Sequence, residues 1–299
     1  MAEKDTPKWT VALRCTAQLG ECPRWHAQER MLYWVDIGRC ELHRFDPAKE
    51  TDEKLTLDQP VGCFAFTSDG GLLLGMKDGF ARMARWSSRP EPFGEQILAG
   101  SAHLRMNDGR TDNQGRFWAG SVDMKKEARD AALYCLEPDG TIRTIENAML
   151  TCNGAAFSNH GKRFFHTDTP SHAVRSYDVD GAAGVLRNRH IFHQFPQGHG
   201  RPDGGSADAD GHYWTALFDG GRVVRLSPEG EIVQTVDLPV SRPTMIAFGG
   251  DDLRTAYVTT ARTGLDTAQI EQEPLAGSIF CFRVETPGLP ERPFGGSHR

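Results

Sequence analysis

One module recurs six times along this chain, and that repetition limits the folds open to it more than any other feature. Each copy has an apolar strand, a polar turn often carrying Asp or Gly, and then an aromatic-rich strand. The aromatic-rich strands begin at Leu32, Leu72, Phe117, Phe164, Tyr213 and Ala256, at spacings of 40, 45, 47, 49 and 43 residues. A further strand comes after each of them, and several of these close on similar turns, such as Phe45-Asp46-Pro47, Glu137-Pro138-Asp139-Gly140 and Ser227-Pro228-Glu229-Gly230. No long amphipathic helix pattern competes with this reading. A period of about 40–50 residues with several strands per unit is that of a propeller blade. The expectation is therefore an all-β, six-bladed β-propeller with four-stranded blades.

The six units occupy nearly all of the 299 residues, and no linker-like stretch interrupts them. Residues 1–299 are accordingly read as one domain. The stretch from Trp9 to Thr16 lies outside the first unit. It is expected to supply the missing outer strand of the last blade, closing the ring and covering a sheet edge. An irregular β-sandwich with accidental periodicity would not keep six units in step.

Composition narrows the function. Formal net charge is −6, which argues against nucleic acid as a partner, because phosphate binding needs a basic footprint. It argues equally against an anionic membrane surface. No run of 18 apolar residues is present, and residues 1–8 lack the apolar core of a signal peptide. The seven cysteines are odd in number, scattered and without CxxC spacing. That excludes a zinc ribbon or a thioredoxin motif and fits reduced thiols in a cytoplasm. A serine-hydrolase elbow is absent, since Gly204-Gly205-Ser206 lacks the G-x-S-x-G spacing, and no P-loop or dinucleotide fingerprint appears.

In a propeller the first strand of each blade lines the central channel, and its entry end contributes one residue to the channel mouth. That position, ten to twelve residues before the aromatic strand, is Glu21, Gly62, Asn107, Asn153, Asp203 and about Thr244 in blade order. Asn and Asp before Gly also serve as plain turn formers. Their coincidence at equivalent blade positions favours a converging ring of oxygen donors for Glu21, Asn153 and Asp203. For Asn107, ligand and substrate contact stay equally open. Carboxylates converging on one axis repel without a cation. Oxygen ligands suit calcium, magnesium, manganese or other divalents, and a ring without His or Cys disfavours tetrahedral structural zinc.

These residues carry a resemblance. The segments Leu19-Gly20-Glu21, Arg105-Met106-Asn107-Asp108-Gly109-Arg110, Gly115-Arg116-Phe117-Trp118-Ala119-Gly120, Asn153-Gly154 with Thr167-Asp168-Thr169, Pro202-Asp203-Gly204 and Ala247-Phe248-Gly249-Gly250 resemble the senescence marker protein/regucalcin/gluconolactonase family. The likeness runs from about Leu19 to Phe282. It implies a metal-dependent sugar-lactone (aldonolactone) hydrolase. Glu21, Asn153 and Asp203 would ligate one divalent ion, whether calcium, zinc, manganese, magnesium or iron(II), and Arg105 and Asn107 would contact substrate oxygens. Two departures stand out. Cys22 comes after the ligand Glu where the family usually has Gly, and Lys125 falls near a position where some members place a substrate-contacting Glu.

The chemistry expected from this set is ester hydrolysis, with a metal-polarised carbonyl, a metal-bound water and Asp203 as catalytic general base. Arg105 would hold sugar oxygens with its guanidinium fork, and Asp108 is expected to orient Arg105. Asp168 reads as a turn residue or an outer part of the site, His166 as a core or channel residue, and His193, His199 and His212 as surface or loop residues. The run from Phe195 to Arg201 reads as a rim loop, and Trp34, Trp118 and Trp214 as core. The partner is a small-molecule sugar lactone, and the default state is a monomer. The alternatives are a propeller hydrolase of other esters and a non-catalytic divalent-metal-binding propeller, because fold alone does not fix function.

Overall fold

Short runs of β-branched, aromatic and small residues, broken by Asp-Gly turns, fold each repeat into a four-stranded antiparallel meander. The computed structural model describes residues 7–158 and 160–296. Blade 1 comprises Gly20–His26, Met31–Asp36, Glu41–Asp46 and Thr51–Thr56. The innermost strands of blades 2 to 6 are Cys63–Phe66, Leu104–Thr111, Cys152–Phe157, Arg201–Ala207 and Pro243–Gly249. Each packs against the innermost strands of the two neighbouring blades, and blade 6 returns to blade 1. The ring closes as the sequence predicts. Thr10–Leu13 pairs antiparallel with Ile279–Arg283 and completes the sheet of blade 6.

The core lies between blades. Trp118 of blade 3 packs edge-on against Phe157 and also meets Phe164, both of blade 4. Phe165 of blade 4 stacks on Tyr213 of blade 5, and Trp214 of blade 5 meets Phe248 and Phe282 of blade 6. Trp25 of blade 1 stacks on Tyr257 of blade 6. Trp34, Trp118 and Trp214 are fully buried, so they belong to the core and not to a sugar-stacking surface. Such rings dominate core energetics, with pair terms of about 0.5–1.5 kcal/mol beyond area burial.

Two of these indoles report a repeated device. The Trp118 and Trp214 Nε1 atoms donate to Asp112 and Asp208, at 2.9 and 3.1 Å. The same carboxylates accept backbone N–H groups of the adjoining turn, Gln114 and Arg116 in one case and Asp210 and His212 in the other. One acid thus closes the turn and pins the next strand's indole, which satisfies a buried donor on each aromatic.

The chain after the last strand carries no periodic signal, yet it is structured. Gly288 bridges Asp208 of blade 5, and Phe294, buried, bridges Thr67 of blade 2. The segment between them brings Glu291 to Arg110 Nη1 at 2.5 Å and to Arg24 Nη1 at 3.7 Å. Arg24 and Arg110 lie three residues beyond Glu21 and Asn107 on the same strands, about 10 Å further along the channel. The C-terminal segment therefore spans the channel end opposite the predicted site.

Candidate metal and substrate site

Five of the six innermost strands carry a β-bulge at the predicted mouth position. Glu21 pairs with Val35, but the next register pair is Arg24 with Tyr33. One extra residue separates the two pairs. The same shift comes after Met106, Asn153, Pro202 and Pro243. A bulge bends its strand and re-aims a side chain, and here it turns Glu21, Asn107, Asn153 and Asp203 towards a common centre. The cost in backbone conformation is visible. Cys22 and Gly154 come directly after Glu21 and Asn153, and both have left-handed φ, 48° and 66°. Gly suits that region and Cys does not, so the departure at Cys22 keeps the geometry that glycine gives elsewhere. Its thiol accepts from Phe64 N at 3.4 Å.

Asn107, Asn153 and Asp203 form a connected array with Arg105, and Glu21 stands beside it. Asn153 Nδ2 donates to Asp203 Oδ1 at 2.6 Å and to Thr169 Oγ1 at 2.9 Å. Asn107 Nδ2 donates to Asn153 Oδ1 at 2.8 Å. Arg105 Nη1 donates to Asn107 Oδ1 at 2.7 Å and to Met106 O at 2.9 Å. Among the described residues, Glu21 Oε2 accepts from Cys22 N alone, at 3.3 Å. Glu21, Asn107, Asn153 and Asp203 are buried. Burial pushes the Glu21 carboxyl well above its usual range, and the nearby Asp203 charge adds to this. Burial and then Asp108 push Asp203 up to about 8. Burial pulls Arg105 down to about 10, against the attraction of Glu21 and Asp203. Two buried carboxyls, one raising the other's pKa and each with an oxygen that accepts no hydrogen bond among the described residues, form an arrangement a cation relieves.

Of the other two mouth positions, neither joins the array. Gly62 brings backbone against backbone. A Cβ there would lie 2.1 Å from Met106 O and 2.7 Å from Asn107 O. Gly62→Ala should therefore destabilise the fold by more than about 2 kcal/mol, at the upper end of overpacking costs. Urea unfolding checks this, and a change below about 0.5 kcal/mol would show that the mouth yields easily. Thr244 is turned aside, with Oγ1 donating to Gly20 O at 2.5 Å.

The array rests on two acids whose bracing role sequence reading did not single out. Asp36 ends the second strand of blade 1 and accepts the N–H groups of Gln18 and Leu19, at 2.9 and 3.0 Å. Asp168 does the same in blade 4 for Leu150 and Thr151, at 3.1 and 2.9 Å, and pairs with Arg129. Each acid holds the chain just ahead of a site residue, Glu21 or Asn153. The recurring β-branched-Asp ending of the second strand, Val35-Asp36 and Thr167-Asp168, was the available signal. Thr169, beside Asp168, links Asn153 to blade 5 by donating to Pro202 O at 2.9 Å.

One expectation needs correction. Asp108 does not orient Arg105. The bulge points it the other way, where it accepts from Gly109 N and Ala155 N and sits 3.9 Å from Arg24. At the Lys125 departure, the Lys125 backbone N–H donates to the Asp123 carboxylate, and it is the neighbouring Lys126 whose Nζ donates to Thr151 Oγ1. His166 is a core residue. It is buried, parallel to Phe164, and burial holds it neutral with its pKa down at about 3. Residues 196–199 are exposed and lead into the strand carrying Asp203, as a rim loop would.

With this geometry in view, the comparisons are decisive about ancestry. A model described as the SMP-30/gluconolactonase/LRE-like region matches residues 19–262. The chain belongs to that family. A 6-deoxy-6-sulfogluconolactonase from Pseudomonas putida is 38% identical, with 95% of this chain and 99% of the relative aligned. A pentonolactonase from Haloferax volcanii is 33% identical over 94% and 96%. The crystal structure of a calcium-binding protein, regucalcin, from Agrobacterium tumefaciens superposes with a TM-score of 0.92 at 25% identity, covering 97% of this chain and 98% of that one. The family match begins at Leu19, two residues before Glu21, and ends within blade 6, so it contains every residue of the array.

Among the described residues, no three His, Cys, Asp or Glu side chains converge in a metal-binding group. Any cation here must take amide as well as carboxylate oxygens, and Glu21, Asp203, Asn153 and Asn107 supply that mixture of hard donors. No helix among the described residues is long and apolar enough to cross a membrane.

Proposed function

We propose that this protein hydrolyses sugar lactones to the corresponding hydroxy acids, using one divalent cation held by Glu21, Asn153 and Asp203. The observation that carries the reading is the bulge-directed convergence of those three residues with Asn107 and Arg105 at one channel mouth. The names of the relatives, a sulfogluconolactonase and a pentonolactonase, supply the substrate class.

When bound, the cation supplies Lewis-acid polarisation of the carbonyl and acidifies a water. Asn153 offers its amide nitrogen to Asp203, so serving as an oxygen donor requires its amide to turn over. Asp203 accepts the proton of the attacking water. The water oxygen bonds to the carbonyl carbon, the ring C–O bond breaks, and the ring oxygen leaves as a hydroxyl after taking that proton back from Asp203. Arg105, fixed by Asn107 Oδ1 and Met106 O, directs its remaining N–H groups at substrate oxygens. Asn107 stands between Arg105 and Asn153, so it couples substrate position to the donor set.

The test is acid release from five- and six-carbon aldonolactones by metal-stripped protein, re-supplied singly with calcium, magnesium, manganese, zinc and iron(II). Turnover should be absent in the stripped protein and return with at least one ion. Measurable ion binding without hydrolysis of any lactone would favour a metal-binding scaffold without catalysis.

A further inference from the structure

The loop after the second strand of blade 3 is built to hold one cation in place. Asp123, buried at the end of Phe117–Asp123, accepts four successive backbone N–H groups. Oδ1 takes Lys125 and Lys126 at 3.0 and 3.1 Å, and Oδ2 takes Glu127 and Ala128 at 3.0 and 2.8 Å. The loop's far end is tied by Arg129 to Ala148 O and to Asp168. Within it Lys126 has φ 60°, a left-handed conformation unusual for a side chain of this size. Strain of this kind persists where the surroundings over-determine it, and it clusters at functional sites. Its result is that Lys126 Nζ reaches Thr151 Oγ1, two residues before Asn153.

Around this ammonium the field is that of the site. Apart from partial burial, Asp203 and Asp168 act on it attractively and Arg105 and Arg201 act repulsively. Arg201 is engaged by Asp219. Arg105 and Lys126 have no ion-pair partner among the described residues. Their side-chain hydrogen bonds go to a neutral amide, a carbonyl and a hydroxyl. Glu21 and Asp203 are the carboxyls that attract Arg105, and Asp203 also attracts Lys126. Once a dication takes up the charge of Glu21 and Asp203, the carboxylate left acting on Lys126 is Asp168, which Arg129 already engages. Unpaired cations on a pre-organised rim attract an anion.

We propose that the rim formed by Lys126 and Arg105 is a subsite for an anionic group, so that the preferred lactone carries a sulfonate, phosphate or carboxylate on the part of the sugar remote from the ring carbonyl. This inference rests on the lactonase reading. Lys126 is the specificity-determining residue in it, since Arg105 also serves neutral sugar oxygens.

The experiment compares glucono-1,5-lactone with its counterparts bearing a sulfonate, a phosphate or a carboxylate at C6, using the full-length metal-loaded protein. It is repeated in Lys126→Asn, which tolerates the left-handed backbone, and in Lys126→Arg, which keeps the charge. The ratio of kcat/KM for the best anionic lactone to that for the neutral one should fall about ten- to a hundredfold in Lys126→Asn, as expected for losing a hydrogen bond to a charged group. Lys126→Arg should keep most of the ratio, and raised salt should reduce it in the wild type. The three anions rank the chemistry within the subsite. Calorimetric binding of the C6-anionic aldonic acids, against gluconate, reads the same subsite without turnover. A wild type that prefers the neutral lactone, or a ratio and a binding difference that Lys126→Asn leaves unchanged, overturns the proposal. If no lactone is hydrolysed but the anionic acids still bind through Lys126, the anion subsite stands and the lactonase reading falls.

Discussion

Asp203→Ala is expected to lower kcat/KM for the best aldonolactone by more than about a hundredfold, the upper end of what loss of a mere supporting residue costs a metal site. Asp203 is both the proposed proton acceptor and one of only two carboxylates in the donor set, so a single change removes two functions. The protein should remain folded. Asp203 accepts one side-chain hydrogen bond, from Asn153, and burial, together with the Asp108 charge, disfavours its ionised form. Taking away that carboxylate relieves Glu21, whose own pKa it helps to raise. Without metal, the variant should therefore unfold at a temperature equal to or above that of the wild type. Added metal should stabilise the wild type by about 2.7 kcal/mol at a hundred times its dissociation constant, and the variant by much less at the same concentration. An active Asp203→Ala, or equal stabilisation of both proteins by metal, would remove Asp203 from the site.

The largest loss of stability is expected at the other end of the channel. Arg24 is fully buried on the innermost strand of blade 1. Its Nη2 donates to Gly109 O of blade 3 at 2.5 Å and lies 3.9 Å from Asp108, while Nη1 lies 3.7 Å from Glu291 of the C-terminal segment. One guanidinium thus joins two blades and the segment spanning the channel. Arg24→Ala leaves Asp108 with weakened compensation, opens a cavity and orphans a buried carbonyl. The cost should be about 3–5 kcal/mol, the usual penalty for breaking a buried ion pair from one side. Arg24→Met, which keeps the stem volume, should cost less. Urea unfolding measures both, and a loss below about 1 kcal/mol for Arg24→Ala would mean that Arg110 alone carries the network. Catalysis is predicted to fall less than stability, since Arg24 lies on the far side of the bulge from Glu21.

The ring of six, its closure by an N-terminal strand and the positions of Glu21, Asn107, Asn153 and Asp203 were legible because they are periodic. A blade that must bury both faces against its neighbours repeats its aromatic positions. Those repeats count off the mouth residues even where neighbouring identities vary. The role of Asp108 was misread for a related reason. Asp108 was paired with Arg105 by closeness in the chain, and the bulge between Met106 and Gly109 adds one residue there, so facing cannot be counted off along the strand. Nothing in Met106-Asn107-Asp108-Gly109 reveals that insertion, because it exists only against the partner strand. Lys126 and Lys125 are adjacent and chemically alike. Only the Asp123 turn, with its left-handed residue at Lys126, decides which ammonium reaches Thr151.

Alone, the amino-acid sequence determined the architecture, the interblade core around Trp34, Trp118 and Trp214, and the oxygen-rich character of the channel mouth. All three arise from local pattern and from residue chemistry repeated at a fixed period. The tertiary structure decided the features that depend on meetings between distant segments. It set the hydrogen-bond order running from Arg105 to Asp203, the struts at Asp36 and Asp168, and the crossing of the far mouth by Glu291. Those contacts join residues up to 267 positions apart, as Arg24 and Glu291 are. No periodic signal links such residues, because they become neighbours only when the ring closes.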